Sequence, residues 1–330
     1  MKKRKIATIT QGCRIIRKPK HKIVLDYTAW SEEDFRISFV MNMWVTKSDK
    51  KMKEFFKWIN VLVRNPSGFV GVTILIIYLS ISCLASLDFT PYSQLAQNPG
   101  QRLQEPSLEH LMGTDLFGRD VASRLMVGIK NSILIAGMSV LLSGFIGTFL
   151  GIISAYIGGL WDMLIMRIMD VFFAFPAILL ALLVVAVLGS SLTNTVLAIT
   201  VVYTPIFARV ARGPALSVKN LEFVQSALSI GTDRWRIIVL HILPNIMAPI
   251  ITQCSLALSW ALLTEAGLSF LGLGTQPPNS SIGVMLNESR KLMEIAPWLL
   301  LYPGIAITLG VLGFNLLGDA LRDTLDPRLV

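Results

Sequence analysis

Between residues 69 and 317 the chain carries repeated long stretches without a single charge, and nothing else limits its folds so strongly. A helix needs about 20 apolar residues to cross roughly 30 Å of hydrocarbon at 1.5 Å per residue. Phe69 to Leu87 is an uncharged run bracketed by Arg64 and Asp88. Residues 131–161 supply another, whose helix ends before Gly158-Gly159. Residues 171–208 hold 38 uncharged positions, too many for one helix, and the turn formers of GSSLTN at 189–194 divide them. The predicted spans are therefore 69–87, 132–157, 165–188, 193–211, 246–270 and 298–317. Only 15% of residues are charged, against about 25% in soluble domains. The fold class is an all-α membrane protein with six transmembrane helices and both termini on one side.

Charge sets the orientation. Residues 1–68 hold 16 Lys/Arg against 6 Asp/Glu, whereas the remainder holds 14 against 15. Lys and Arg beside the first span hold that end in the cytoplasm and favour anionic lipid, so the basic excess points to membrane rather than nucleic acid. With the N-terminus inside, 24 basic residues fall in cytoplasmic segments and six in outer loops, although Arg102, Arg119, Arg124 and Lys130 lie in the first outer loop. The chain divides into a basic cytoplasmic N-terminal extension, 1–68, and a transmembrane domain, 69–330. No apolar stretch with a small-residue cleavage site follows the basic start, so no signal peptide is expected. Residues 22–46 mix aromatics with charges and suit a position along the membrane surface, or nearly as well a poorly ordered arm. Cys13, Cys83 and Cys254 are scattered; the two in apolar runs are small hydrophobes, and no metal-site spacing is present.

One polar segment interrupts this apolar chain. From Pro214 to Ile230 the residues Leu216, Leu221, Val224, Ala227 and Leu228 recur at helical spacing, which predicts one amphipathic helix. Gly231 can adopt the left-handed conformation that ends it, and Thr232 or Asp233 can cap a second helix from Arg234 to about His241. Pro244 then redirects the chain into the fifth span. The segment 212–245 is thus two short helices at an angle on the cytoplasmic side, presenting polar groups to something soluble.

EFVQSALSIGTDRWRIIVLHILPN, residues 222–245, resembles the EAA loop of permease subunits of ATP-binding-cassette importers. Gly231, Leu243 and Pro244 fall in register; Gln225, Ser226 and Ala227 stand where Glu-Ala-Ala would be, and His241 replaces an Ile. GTDLFGRDVASRLMVG (113–128), LSFLGLGTQPPNSSIGVML (268–286) and FNLLGDALRDTLDPRL (314–329) resemble the second permease subunit of the dipeptide, oligopeptide and nickel branch, from about residue 66 to the end. The resemblance implies a type I importer permease in the bacterial inner membrane, paired with a homologous permease, driven by two cytoplasmic ATP-binding subunits and fed by an extracytoplasmic solute-binding protein. It also implies that 212–245 couples ATPase closure to the spans, with Glu222, Gln225, Ser226, Ala227, Gly231, Asp233, Arg234, Leu243 and Pro244 as the contact. The chain has no G-x-x-x-x-G-K-[ST] loop, so ATP and Mg are expected on the partner ATPases and no cofactor on this chain, which is then not an enzyme. Peptide is the expected cargo; nickel chelates, glutathione and oligosaccharides are carried by similar-looking permeases.

Glu265 lies about 28 Å along the fifth span, near its outer end, where it gates a pathway, reaches water or accepts bonds from outer-loop backbone. Arg167 and Asp170, three residues apart, share a face and form an ion pair or line the path. Pro176, Pro205, Pro249 and Pro303 invite bends in spans three to six. In the first outer loop, Thr114 or Asp115 is expected to start a helix on which Asp120 and Arg124 pair, with Asp115, Arg119, Asp120 and Arg124 structural. Gly272, Gly274, Pro277 and Pro278 shape a tight turn after span five. A self-contained ion-coupled transporter would predict midplane charges and inverted repeats, which are absent; a non-transporting scaffold would show no uptake even in the full assembly.

Overall fold

The computed structural model describes residues 14–18, 22–26 and 65–325. It separates into two units, residues 1–61 and 62–330. In the first, β1 (Arg14–Lys18) pairs antiparallel with β2 (Lys22–Asp26), Ile16 opposite Val24. The membrane-surface reading of 22–46 lies, beyond residue 26, outside the described residues, as does Cys13.

The second unit is helical. Its elements are α1 (Pro66–Ser86), α2 (Val121–Ile157), α3 (Gly159–Phe173), α4 (Ala177–Leu188), α5 (Leu192–Lys219), α6 (Glu222–Ser229), α7 (Arg234–Ile237), α8 (Met247–Phe270), α9 (Ile282–Ser289) and α10 (Trp298–Leu325). Helices α1, α2, α5, α8 and α10 are each long and apolar enough to cross a membrane. The third predicted span is not one rod: α3 and α4 together meet the requirement but meet at 93°. Pro176, at the N-cap of α4 with ψ 132°, is extended. Proline also disfavours helical backbone at the residue before it, so the chain turns there instead of merely bending. Counting that pair as one broken span gives six.

Two further boundaries differ from expectation. The second predicted span and the outer-surface helix before it are one continuous helix, the 37-residue α2. Its cap is Asp120, not Thr114 or Asp115, and Asp120 accepts from the Ser123 amide. Helix α5 is continuous through Pro205 and Pro214 and ends only at Asn220, so no helix begins at Pro214. The reason is packing: Ala211, Ala215 and Val218 stay buried against Ile152 and Ala155 of α2, which outweighs the one backbone bond a proline removes. Pro303 likewise sits inside α10, and Pro249 within the first turn of α8.

The most extensively packed helix pair is α2 with α5. Gly147 and Gly151, one turn apart on α2, allow it: a Cβ on either would overlap the carbonyl oxygen of Thr204 or Ala208. Gly151→Leu is expected to force the pair apart at a cost of at least about 1–3 kcal/mol, whereas Gly137→Ala, which has open space around it, is silent. Melting midpoint and monodisperse yield of the purified protein would separate the two.

Three apolar clusters follow the bundle. A central one joins α2, α4, α5 and α8 through Ile135, Ile199, Phe207 and Leu262. One at the end that the basic residues assign to the cytoplasm, hereafter the inner end, gathers Ile152, Val218, Val224, Ile237, Ile242 and Ile246. One at the outer end contains Val121, Ile129, Ile282 and Leu299.

Candidate functional site

The inner cluster holds the segment 212–245 against the bundle. Helix α6 buries only Val224 and Ala227, three residues apart, and leaves Glu222, Gln225, Ser226 and Leu228 exposed. Leu221 and Leu228, expected on the apolar face, are exposed, because a helix of eight residues lying on the surface of the bundle has room for a single buried stripe. Gly231 ends α6 at φ +79°, and its amide donates to the Leu228 carbonyl at 3.0 Å. Nothing lies within 4 Å of where its Cβ would be. The glycine is thus required by backbone conformation alone.

Asp233 caps α7 by accepting from the Trp235 amide at 3.1 Å. The helix continues through a π turn, Ile238–Ile242, and a last turn, Leu243–Asn245, before Ile246 breaks it ahead of α8. Pro244 is therefore accommodated in the final turn, and the chain redirects at Ile246, two residues later than the proline. Ile237, Ile238, Ile242 and Ile246 form the buried side, and Leu243 is half-buried. Of the expected contact residues, Glu222, Gln225, Ser226, Gly231, Asp233, Arg234 and Pro244 are exposed, while Ala227 is a core residue.

Polar groups lock the seat of this segment. Lys219, at the end of α5, donates to the Ala155 and Tyr156 carbonyls at 3.3 and 2.7 Å, satisfying open carbonyls at the α2 terminus. Arg212 grips Asp162 of α3 through two bonds of 2.7 and 2.6 Å, and Ser154 also donates to Asp162. Asp170 pairs with Arg209 of α5 at 2.5 Å, not with Arg167 on its own helix; Arg167 is exposed and makes no ion pair among the described residues. The lateral partner wins because the Arg209 guanidinium also lies 4.0 Å over the Phe173 ring, which fixes it beside α3. Sequence reading missed Asp162, Arg209, Arg212 and Lys219 as a set. Their isolated position in apolar runs was the signal that could have found them.

At the outer end Glu265 is fully buried within the bundle. Ser132 of α2 and Ser269 of α8 each donate to its carboxylate at 2.7 Å. Those hydroxyls in turn accept from the amides of Ile282, at 3.3 Å, and Thr275, at 3.1 Å. Glu265 therefore terminates two relays that begin on outer-loop backbone, so the bonds expected from that loop arrive through serines. Glu265→Ala is expected to remove about 1–3 kcal/mol of protection from amide exchange at Thr275 and Ile282. Glu265→Gln is expected to keep most of it, since one serine can reverse its hydroxyl to accept from the amide.

The outer loop holds a second buried cluster. Asp115 Oδ1 accepts from the amides of Phe117 and Arg119, and Oδ2 from Arg119 Nε and Arg124 Nη1, both at 2.6 Å. Arg124 also reaches Glu288 at 2.8 Å. Asp120 does not pair with Arg124: its carboxylate caps α2 and bonds His110 at 2.9 Å. Asp115 is the turn anchor through which both arginines are neutralised, and Asp120 is already committed to the helix start. Gly272 adopts φ +80° in the turn after α8.

A membrane bundle with its polar segment seated on the inner ends of three spans is the form of a transport permease. Residues 147–330 match the family model described as binding-protein-dependent transport system inner membrane component. Over 268 residues the chain is 46% identical to the dipeptide transport system permease protein of Alkalihalophilus pseudofirmus, covering 81% of this chain and 88% of that one. It is 48% identical over 229 residues to the glutathione transport system permease protein of Pectobacterium atrosepticum, 69% of this chain and 76% of that one. A putative peptide transport system permease protein of Brucella abortus is 42% identical over 268 residues, 81% and 90% of the two chains. The chain belongs to the family of binding-protein-dependent inner-membrane permeases of ATP-binding-cassette importers. It is a multi-pass protein of the bacterial inner membrane, and such a permease works with a solute-binding protein and an ATPase.

Proposed function

We propose that the chain is one of two homologous permease subunits in an importer of di- or oligopeptides, with the path formed between them. Two cytoplasmic ATP-binding subunits bind the ATP and Mg; this chain carries out no covalent chemistry and holds no cofactor. An extracytoplasmic binding protein delivers the solute. The observation that carries the peptide reading is the 46% identity to a dipeptide permease across most of both chains. Glutathione is the second reading, favoured by the 48% identity to a glutathione permease.

The segment 212–245 is the coupling element. The support is mechanical: α6 and α7 share one apolar cluster with the inner ends of α2, α5 and α8, so a push on their exposed side moves those helices as a body. Residues 1–68 are the basic cytoplasmic N-terminal extension of the permease domain.

Proteoliposomes holding the full assembly, loaded with ATP on the ATPase side, test the reading. Radiolabelled dipeptide is expected to accumulate in the presence of the binding protein, with glutathione as the competing substrate. Accumulation without the ATPases would instead mean an ion-coupled transporter, and none in the full assembly would mean a scaffold.

A further inference from the structure

Three aromatic rings climb the outside of the bundle toward its inner end. Phe145 and Phe149, four residues apart on α2, stack with centroids 6.5 Å apart and planes within 8°. Trp235 of α7 adds a third ring, 6.0 Å from Phe149 and within 7° of parallel. All three are exposed, Phe145 at 76% and Trp235 at 55%. Their depth follows from α2. Lys130 is the last charge before its uncharged run; the predicted span 132–157 is about 39 Å long at 1.5 Å per residue, so about 20 residues cover the hydrocarbon, which ends near residue 150, and the last two turns lie among the headgroups. Phe149 and the indole stacked on it therefore lie at the boundary between acyl chains and headgroups, with Phe145 one turn deeper. Tryptophan is the side chain best suited to that boundary, with an apolar body and a polar edge.

The charges beside it point the same way. Arg234 and Arg236 flank Trp235 and, at 100° per residue, project to either side of it. Both are exposed and neither has an ion-pair partner among the described residues. The nearby Asp233 carboxylate is engaged in capping α7. A water-soluble ATPase cannot follow the rings into the acyl layer, and the cytoplasmic leaflet supplies the anions that two free guanidiniums lack.

We propose that Phe149, Trp235 and Arg236, with Arg234, form a site for an anionic phospholipid of the cytoplasmic leaflet. One acyl chain lies along the ring ladder and the headgroup phosphate sits against the guanidiniums. The lipid thereby tethers α7 at a fixed depth while α6 remains free to meet the ATPase, and Arg234, which the resemblance placed at the ATPase contact, is assigned to the lipid instead. This rests on the inward placement of the coupling segment and not on the identity of the cargo.

The test uses the full assembly in nanodiscs containing brominated phosphatidylglycerol or brominated phosphatidylcholine. The Trp235 contribution is the fluorescence lost in Trp235→Phe. That contribution is expected to be quenched by both lipids, about fivefold more effectively by phosphatidylglycerol. Arg236→Gln should bring the preference close to one while quenching by phosphatidylcholine persists. Three results overturn the proposal: a Trp235 contribution that neither lipid quenches, meaning that a protein partner covers this face; equal quenching by both lipids in the unmodified protein; or a preference unchanged in Arg234→Gln/Arg236→Gln. Absence of peptide uptake would overturn the cargo reading and leave this one standing.

Discussion

Gly231→Val is expected to leave the protein inserted and assembled but to cut uptake at least tenfold while ATP hydrolysis continues. The argument is conformational. Gly231 sits at φ +79° with empty space around its Cβ position, so a side chain meets no neighbour. It does meet its own backbone, at about 1–2 kcal/mol for an ordinary residue and more for a β-branched one. The relief available is rotation out of the left-handed region, which swings α7 against α6. Because α7 leads through Ile237, Ile242 and Ile246 into the cluster that seats α8, the reorientation alters what the exposed side offers a partner without emptying the core. Gly231→Asn, which tolerates the left-handed region, is the control and should retain most uptake. The measurement is paired: uptake and hydrolysis in the same proteoliposomes. If Gly231→Val and Gly231→Asn fall together, a local side-chain clash is responsible; if neither falls, the joint is not where force enters.

The elements that sequence reading recovered are those set by local chemistry. The uncharged runs located the spans because burying an unpaired charge in hydrocarbon is costly, and α1, α8 and the start of α10 fall within three residues of the expected limits. Gly231 and the Asp233 cap were legible for the same reason, each being a one-residue backbone requirement. What could not be read were choices decided by neighbours distant in the chain. Asp170 takes Arg209 from 39 residues away in preference to Arg167, and Arg124 takes Asp115 and Glu288 in preference to Asp120. Pro214 does not start a helix, because small residues on either side of it are already packed on α2. Glu265 was visible as an oddity in an apolar run, but its two serine partners lie 133 residues before it and four after it. Helical spacing can suggest only the latter.

The largest loss of stability is expected at Asp115. Arg119 and Arg124 are 9% and 5% exposed, and Asp115 is the carboxylate both of them share at 2.6 Å. Asp115→Ala leaves Glu288 as the one remaining acid for two buried guanidiniums, and removing one partner from such a group costs about 3–5 kcal/mol. It also deletes the acceptor for the Phe117 and Arg119 amides that shapes the turn before α2. Asp115→Asn separates those contributions, since the amide oxygen can still accept from the backbone while the charge is gone; it should fall between the alanine variant and the unmodified chain. Glu288→Gln should be nearly silent, because that side chain is 36% exposed and water can replace it. Melting of the purified complex ranks the three. An order with Glu288→Gln as damaging as Asp115→Ala would mean that the outer acid, and not the buried one, neutralises the pair. Because the affected turn leads directly into Val121, at the start of the helix that packs on α5 and holds Ser132 against Glu265, Asp115→Ala should also speed exchange at Ile282. That links the two buried clusters through α2, a connection that Glu265→Ala by itself would not transmit back to the Asp115 turn.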